Sequence, residues 1–197
     1  MTHKINIPAF VSGMLFALVV AGSATRPALA QEGDESSLEI LSAGAVLKNQ
    51  VYYLNARFRL RLKPQMVEAL HAGIPLTFSV SVEVDRPRSY IWDAEVALLE
   101  QRYRLTYQAL TENYVLKNLN SGVENDFPNL IAASDVLGTI VELPILDRNL
   151  LNPDDEYRGR MRVRLDREYL PLPLRLQSYF YSDWTLASDW YSWPIHF

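Results

Sequence analysis

Cysteine is absent from all 197 residues. The chain therefore has no disulfide, no thiolate nucleophile and no thiolate metal site. Nor can it take a lipid on an N-terminal cysteine. Histidine is scarce too. His3 lies in the N-terminal segment, which leaves His71 and His196. These are far apart, and neither has a second histidine at metal-ligand spacing. His71 falls at the end of an expected helix, where an imidazole can cap the last carbonyls. His196 is penultimate. No G-x-S-x-G elbow, phosphate loop or H-E-x-x-H occurs, so no cofactor or metal is expected.

A basic excess is also missing: 19 Lys and Arg stand against 23 Asp and Glu. The N-terminus accentuates this. Lys4 precedes an apolar run densest from Phe10 to Ala21, followed by small and polar residues and Ala28-Leu29-Ala30. This is the three-part layout of a secretory signal. Residues 1–30 are expected to be removed after Ala30, leaving Gln31 as the new N-terminus and residues 31–37 (QEGDESS) as a flexible leader. An uncleaved anchor fits less well, because Pro8, Ser12, Gly13, Gly22 and Ser23 interrupt the roughly 20 apolar residues a span needs. Loss of Lys4 and Arg26 leaves 17 basic against 23 acidic residues, a formal charge of −6. That argues against nucleic acid. The expectation is an exported protein with no stable membrane span after cleavage.

What is present is alternation. Residues 38–197 read as one domain. Leu38 to Leu62 is strand-like, broken near Gly44 or at Lys48-Asn49-Gln50, and ends with Phe58, Leu60 and Leu62 against Arg57, Arg59 and Arg61. Pro64 opens a short helix of about 8–9 residues, for which Gly73 suits the C-terminal cap. Leu76 to Val84 is the cleanest strand, with a polar face of Thr77, Ser79, Ser81, Glu83 and Asp85. Val96 to Leu110 and a segment from Tyr114 are further strands, the latter ending at Asn118–Gly122. Pro128 to Leu137 is a second helix. Thr139 to Leu143 is a strand stopped by Pro144. Tyr157 to Asp166 alternates again, residues 171–176 (PLPLRL) look like an edge or extended crossover, and strand-like pieces lie at Tyr179–Tyr181 and Trp184–Trp193. About eight strands and two short helices point to a mainly β, antiparallel sandwich, immunoglobulin-like in general architecture. An up-and-down barrel is the alternative.

Three groups could carry function. Arg158, Arg160, Arg162 and Arg164 project to one face of a strand, about 6.6–7 Å apart. They could bind an anionic polymer, headgroup or partner. They could equally be a solvated face whose neighbouring strand supplies Glu83, Asp85, Glu95 or Glu100. The aromatic C-terminus, with Trp184, Trp190, Tyr191 and Trp193, is either core filling or a binding platform, and Trp190 and Trp193 are the pair expected to be exposed. Asp183 and Asp189 flank Trp184, and Asp154-Asp155-Glu156 cluster in a loop. A carboxylate pair at the right separation could hydrolyse a glycosidic bond, but aspartates beside strands usually form turns. The loop lacks the spacing of a calcium-binding hand.

Arg102-Tyr103-Arg104-Leu105-Thr106-Tyr107, Asn118-Leu119-Asn120-Ser121-Gly122, Pro171-Leu172-Pro173-Leu174-Arg175-Leu176, and Asp183-Trp184 leading to Trp190-Tyr191-Ser192-Trp193-Pro194 form an ordered set. Across Leu38 to Pro194 the chain resembles an uncharacterised bacterial exported family, domain of unknown function 4390. The resemblance implies a Gram-negative periplasmic protein and transfers no catalytic residues. It also implies a possible link to envelope signalling, since members can be encoded beside a membrane sensor kinase. The expectation is therefore a non-enzymatic protein-binding module whose partner is an envelope protein such as a sensor kinase. A carrier of a small ligand, lipid or glycan is the alternative, and a cell-wall hydrolase comes third.

Overall fold

The computed structural model describes residues 37–87, 94–180 and 184–196. The expected signal segment, the leader up to residue 36, and Tyr181 and Asp183 lie outside them. Nine antiparallel strands form two sheets: β1 (Ser37–Lys48), β2 (Val51–Arg61), β3 (Leu76–Arg86), β4 (Ala94–Gln108), β5 (Asn113–Asn118), β6 (Glu124–Phe127), β7 (Thr139–Asp147), β8 (Tyr157–Leu165) and β9 (Tyr191–Ile195). One sheet has the order β1-β2-β7, the other β6-β5-β4-β3-β8-β9. Among the described residues neither sheet closes on itself, so the architecture is the sandwich and not the barrel.

The core lies between the sheets. Leu54, Phe58 and Leu60 of β2 and Phe78, Val80, Val82 and Val84 of β3 belong to one buried cluster. It also takes in Met161, Val163 and Leu165 of β8 and Trp193 and Ile195 of β9. With Ala56 added to the β2 set, each is every second residue of its strand, and in β3 and β8 the period-2 patterning of the sequence located it. Helix α1 (Pro64–His71) begins with proline in its first turn, where the missing N–H has no partner to lose. It buries Met66, Ala69 and Leu70. Helix α2 (Leu130–Leu137) is capped by Asn129, whose Oδ1 accepts from the Ala132 N–H at 2.9 Å.

Several expectations need correction, but the break expected at Lys48-Asn49-Gln50 is where the β1–β2 turn lies, with Asn49 and Gln50 both at positive φ (49° and 68°), while Gly44, the other position offered, stays inside β1. Two left-handed residues match a two-residue hairpin turn to the twist of its strands. β7 runs through Pro144 to Asp147 because it is a sheet edge, where a missing N–H need not break a ladder, and its pairing with β2 is irregular there. Residues 171–176 are not extended. They open a third helix, α3 (Leu172–Phe180), with Pro173 in its first turn. Tyr179 and Phe180 therefore belong to a helix. In the stretch Trp184–Trp193 only its end, within β9, is a strand.

Candidate functional site

β3 and β8 pair in the register Asp85↔Arg158, Glu83↔Arg160, Ser81↔Arg162 and Ser79↔Arg164. With Val80, Val82 and Val163 turned inward, these residues form the outer face of the six-stranded sheet. The arginine comb is answered along its length. Arg158 Nη2 lies 3.2 Å from Asp85, and Arg160 reaches Glu83 with Nε at 2.7 Å and Nη2 at 2.5 Å. Arg160 Nε is also 3.4 Å from Asp85. Arg164 pairs with Glu100 of β4 at 3.4 Å. No ion pair joins Glu95 to the comb among the described residues. Arg162 instead donates through Nε to the Ser188 carbonyl at 3.1 Å.

That carbonyl belongs to a segment that continues the ladder beside β8. The Leu165 N–H donates to the Leu186 carbonyl (2.7 Å), the Ser188 N–H to the Val163 carbonyl (2.8 Å), and the Val163 N–H to Ser188 Oγ (3.0 Å). The segment delivers Trp190 to the comb. The Arg160 guanidinium carbon sits 4.8 Å from the Trp190 ring centroid, and Trp190 remains 39% exposed. A cation held over an indole face gains about 0.5–1 kcal/mol at an exposed site. The other aromatics divide differently. Trp184 and Trp193 are buried and Tyr191 is half-buried. Trp193 is thus core rather than surface, because Gly159 opposite it on β8 leaves room for the indole to lie flat.

Sequence reasoning had not tied Arg102 and Asp166 to this face. Asp166, 7% exposed, accepts from Ser79 Oγ at 3.0 Å and from the Glu168 N–H at 3.2 Å. Arg102 Nε lies 3.8 Å from it, and Arg102 Nη2 reaches Glu100 at 2.5 Å. The signal was in the sequence, since Arg102 alternates with the inward Leu105 register and Asp166 ends the β8 pattern. Beside them a surface recess of about 260 Å³ is lined by Arg162, Arg164, Asp166 and Thr185 to Ala187. The face therefore carries six arginines, counting Arg104, interleaved with carboxylates and flanked by one half-exposed indole.

The remaining candidates are scattered. Asp155 accepts from Arg86 Nη1 at 2.6 Å, and that hydrogen bond and charge raise the Arg86 pKa above its ordinary value. Asp154 is exposed, and no group of three potential metal ligands occurs among the described residues. Asp189 is exposed, and its carbonyl accepts from Ser188 Oγ at 2.8 Å. His71 does not cap carbonyls of α1. Its Nε2 is 2.7 Å from Tyr114 Oη and its ring 4.5 Å from that of Tyr107. His196 is exposed, and its carbonyl accepts from Tyr52 Oη at 3.1 Å.

A family model described as Domain of unknown function (DUF4390) matches residues 35–194. No curated protein and no solved structure matches the chain.

Proposed function

The chain belongs to that family of unknown function, and on this premise we propose that it is an exported, periplasmic binding module. In this reading it docks an envelope protein on the outer face of its six-stranded sheet. The observation that carries the reading is the pairing of Trp190 with Arg160. A large indole is held half-exposed over a guanidinium that two carboxylates already orient. Trp and Arg are enriched among the few residues that carry most of the binding energy at interfaces. Here both are pre-positioned. The alternating charges around them supply steering and register, and an acidic or mixed-charge partner surface complements them. The signal-like N-terminus and the family resemblance favour the periplasm of a Gram-negative cell, and a sensor kinase ectodomain is the kind of partner this implies.

The test compares three immobilised proteins against solubilised envelope extract: the exported protein, W190A, and R57E on the opposite sheet. A partner retained by the first and third but lost by W190A supports the reading. No partner for the exported protein, or equal retention by all three, overturns it. Export is checked separately by N-terminal sequencing of the periplasmic fraction. Gln31 is the expected first residue, and an intact chain in the cytosol or inner membrane contradicts it.

A further inference from the structure

Among the described residues the two sheets leave four strand edges, and three of them are blunted. β6 is four residues long and holds Glu124 and Asp126. β9 is five residues long and contains Pro194. β7 contains Pro144, has a left-handed Glu142 (φ 49°), and pairs irregularly with β2. Short length, charge, proline and local distortion are the devices that stop sheet edges from pairing with other chains. β1 differs. It is 12 residues long, and its central run Ser42–Leu47 (SAGAVL) has no charge and no proline. Among the described residues its outer edge has no neighbouring strand.

We propose that β1 is a self-pairing edge, joining two copies of the chain into a two-fold dimer through antiparallel β1–β1 hydrogen bonds centred on Gly44. The strand's own side-chain order selects that register. In the pairing with β2, Leu41 is skipped by a bulge, so Glu39, Ser42, Gly44, Val46 and Lys48 share the outer face. Ile40, Ala43, Ala45 and Leu47 share the inner one. Directly opposed residues of an antiparallel pair lie on the same face, which limits the registers available. With Gly44 facing Gly44 of the second copy, Ala43 meets Ala45 and Ser42 meets Val46. Once each Leu41 bulge is passed, Ile40 meets Leu47 and Glu39 meets Lys48. Every pair matches in face, and both ends match in charge. Centring on Ala43 or Ala45 instead leaves Glu39 opposite Val46 or Gln50. Leu41 and Val46, 45% and 49% exposed, lose solvent in this arrangement. No side-chain or backbone atom lies within 4 Å of where a Gly44 Cβ would stand, so nothing within the protomer crowds the axis. The surface is distinct from the arginine-bearing face and does not depend on its function.

The experiment is sedimentation equilibrium of the exported protein and three variants, with far-UV circular dichroism and thermal unfolding as fold controls. Gly44→Lys fits the open space of the protomer but sets two ammonium groups against each other at the axis. It is expected to give a folded monomer. Glu39→Lys puts lysine opposite Lys48 twice per dimer and is expected to raise the dissociation constant about tenfold. The exchange E39K/K48E restores the opposition and is expected to bring it back towards the original value. A purely structural role for these side chains predicts no such rescue. A monomeric exported protein at about 100 µM, far above the micromolar range of ordinary specific association, overturns the proposal. So does a folded G44K protein that remains dimeric, or a double exchange no tighter than E39K alone.

Discussion

At Gly159 an added Cβ would collide with the Trp193 ring, closer than any carbon contact allows. Gly159→Ala must therefore push the indole or bend β8. The expected cost is about 1–3 kcal/mol, the range for overpacking, read from the urea midpoint with Trp193 as a fluorescence reporter. Trp193→Ala should cost more, about 3–5 kcal/mol, because it empties a buried site. Trp190→Ala should stay within about 1 kcal/mol, since the ring is 39% exposed and its cation partner is the Arg160 guanidinium. Equal losses for the two tryptophans would contradict the assignment of one to the core and one to the surface. Which tryptophan goes inside was not legible in the sequence. Residues 184–190 follow an irregular path, so alternation counted from Trp184 does not carry through to Trp190 and Trp193. The pairing of a small Gly159 with a large Trp193 across strands is a three-dimensional fact that no local pattern encodes.

Where an element's cue is local, the sequence was readable. The faces of β3 and β8 follow from strict alternation, the start of α1 follows from Pro64 and the end of α2 from Gly138, whereas α2 begins at Leu130 after the Asn129 cap and not at Pro128. Asn129→Ala removes the side chain that accepts from Ala132 and should cost about 1 kcal/mol in thermal or urea unfolding, with β8 variants as unaffected controls for the helix signal. Where one cue serves two structures, reading failed. Proline in PLPLRL suits an edge strand and a helix start equally, and the helix won because Pro171 and Pro173 sit before and within its first turn. β6 escaped notice because ENDF has no apolar alternation, and only its pairing with β5 makes it a strand. The comb itself is an element-scale device. Glu83 and Asp85 lie beside Arg158 and Arg160 rather than facing water alone; Asp85 is buried, but the Arg160–Glu83 pair has both partners partly exposed and contributes about 1 kcal/mol or less. Replacing Arg160 with Gln should shift stability by no more than that, and the shift should shrink in 1 M salt, where the screening length is about 3 Å. A loss several times larger, or one indifferent to salt, would show that the comb is buried in the working protein.

Over the whole molecule the sandwich keeps three tyrosines from ionising easily. Burial raises the pKa of Tyr103, outweighing the opposing hydrogen bond from Asn118, and burial likewise raises those of Tyr52 and Tyr114. A raised folded-state value means that the native protein holds these protons more tightly than the unfolded chain does. Their contribution is therefore full below the ordinary tyrosine value of about 10 and is lost as pH climbs past it. Unfolding free energy should fall with increasing pH in that alkaline range, and Tyr103→Phe should flatten the fall. A slope unchanged in Tyr103→Phe would remove Tyr103 from this account.

The β3–β8 register also sets an order of events in time. Glu83 and Arg160 are neighbours in space but 77 positions apart in the chain, whereas β3 meets β4 through a near-neighbour connection. A chain emerging from its N-terminus completes β3 and β4 long before β8 exists, so one side of β3 waits unpaired. Contacts this distant in sequence close late, and β-rich domains of this kind refold over milliseconds to seconds. During that wait Glu83 and Asp85 keep the bare side of β3 hydrated and negatively charged, which discourages two such intermediates from zipping together. The carboxylates that later hold the arginines in place thus act first as guards of an unfinished sheet.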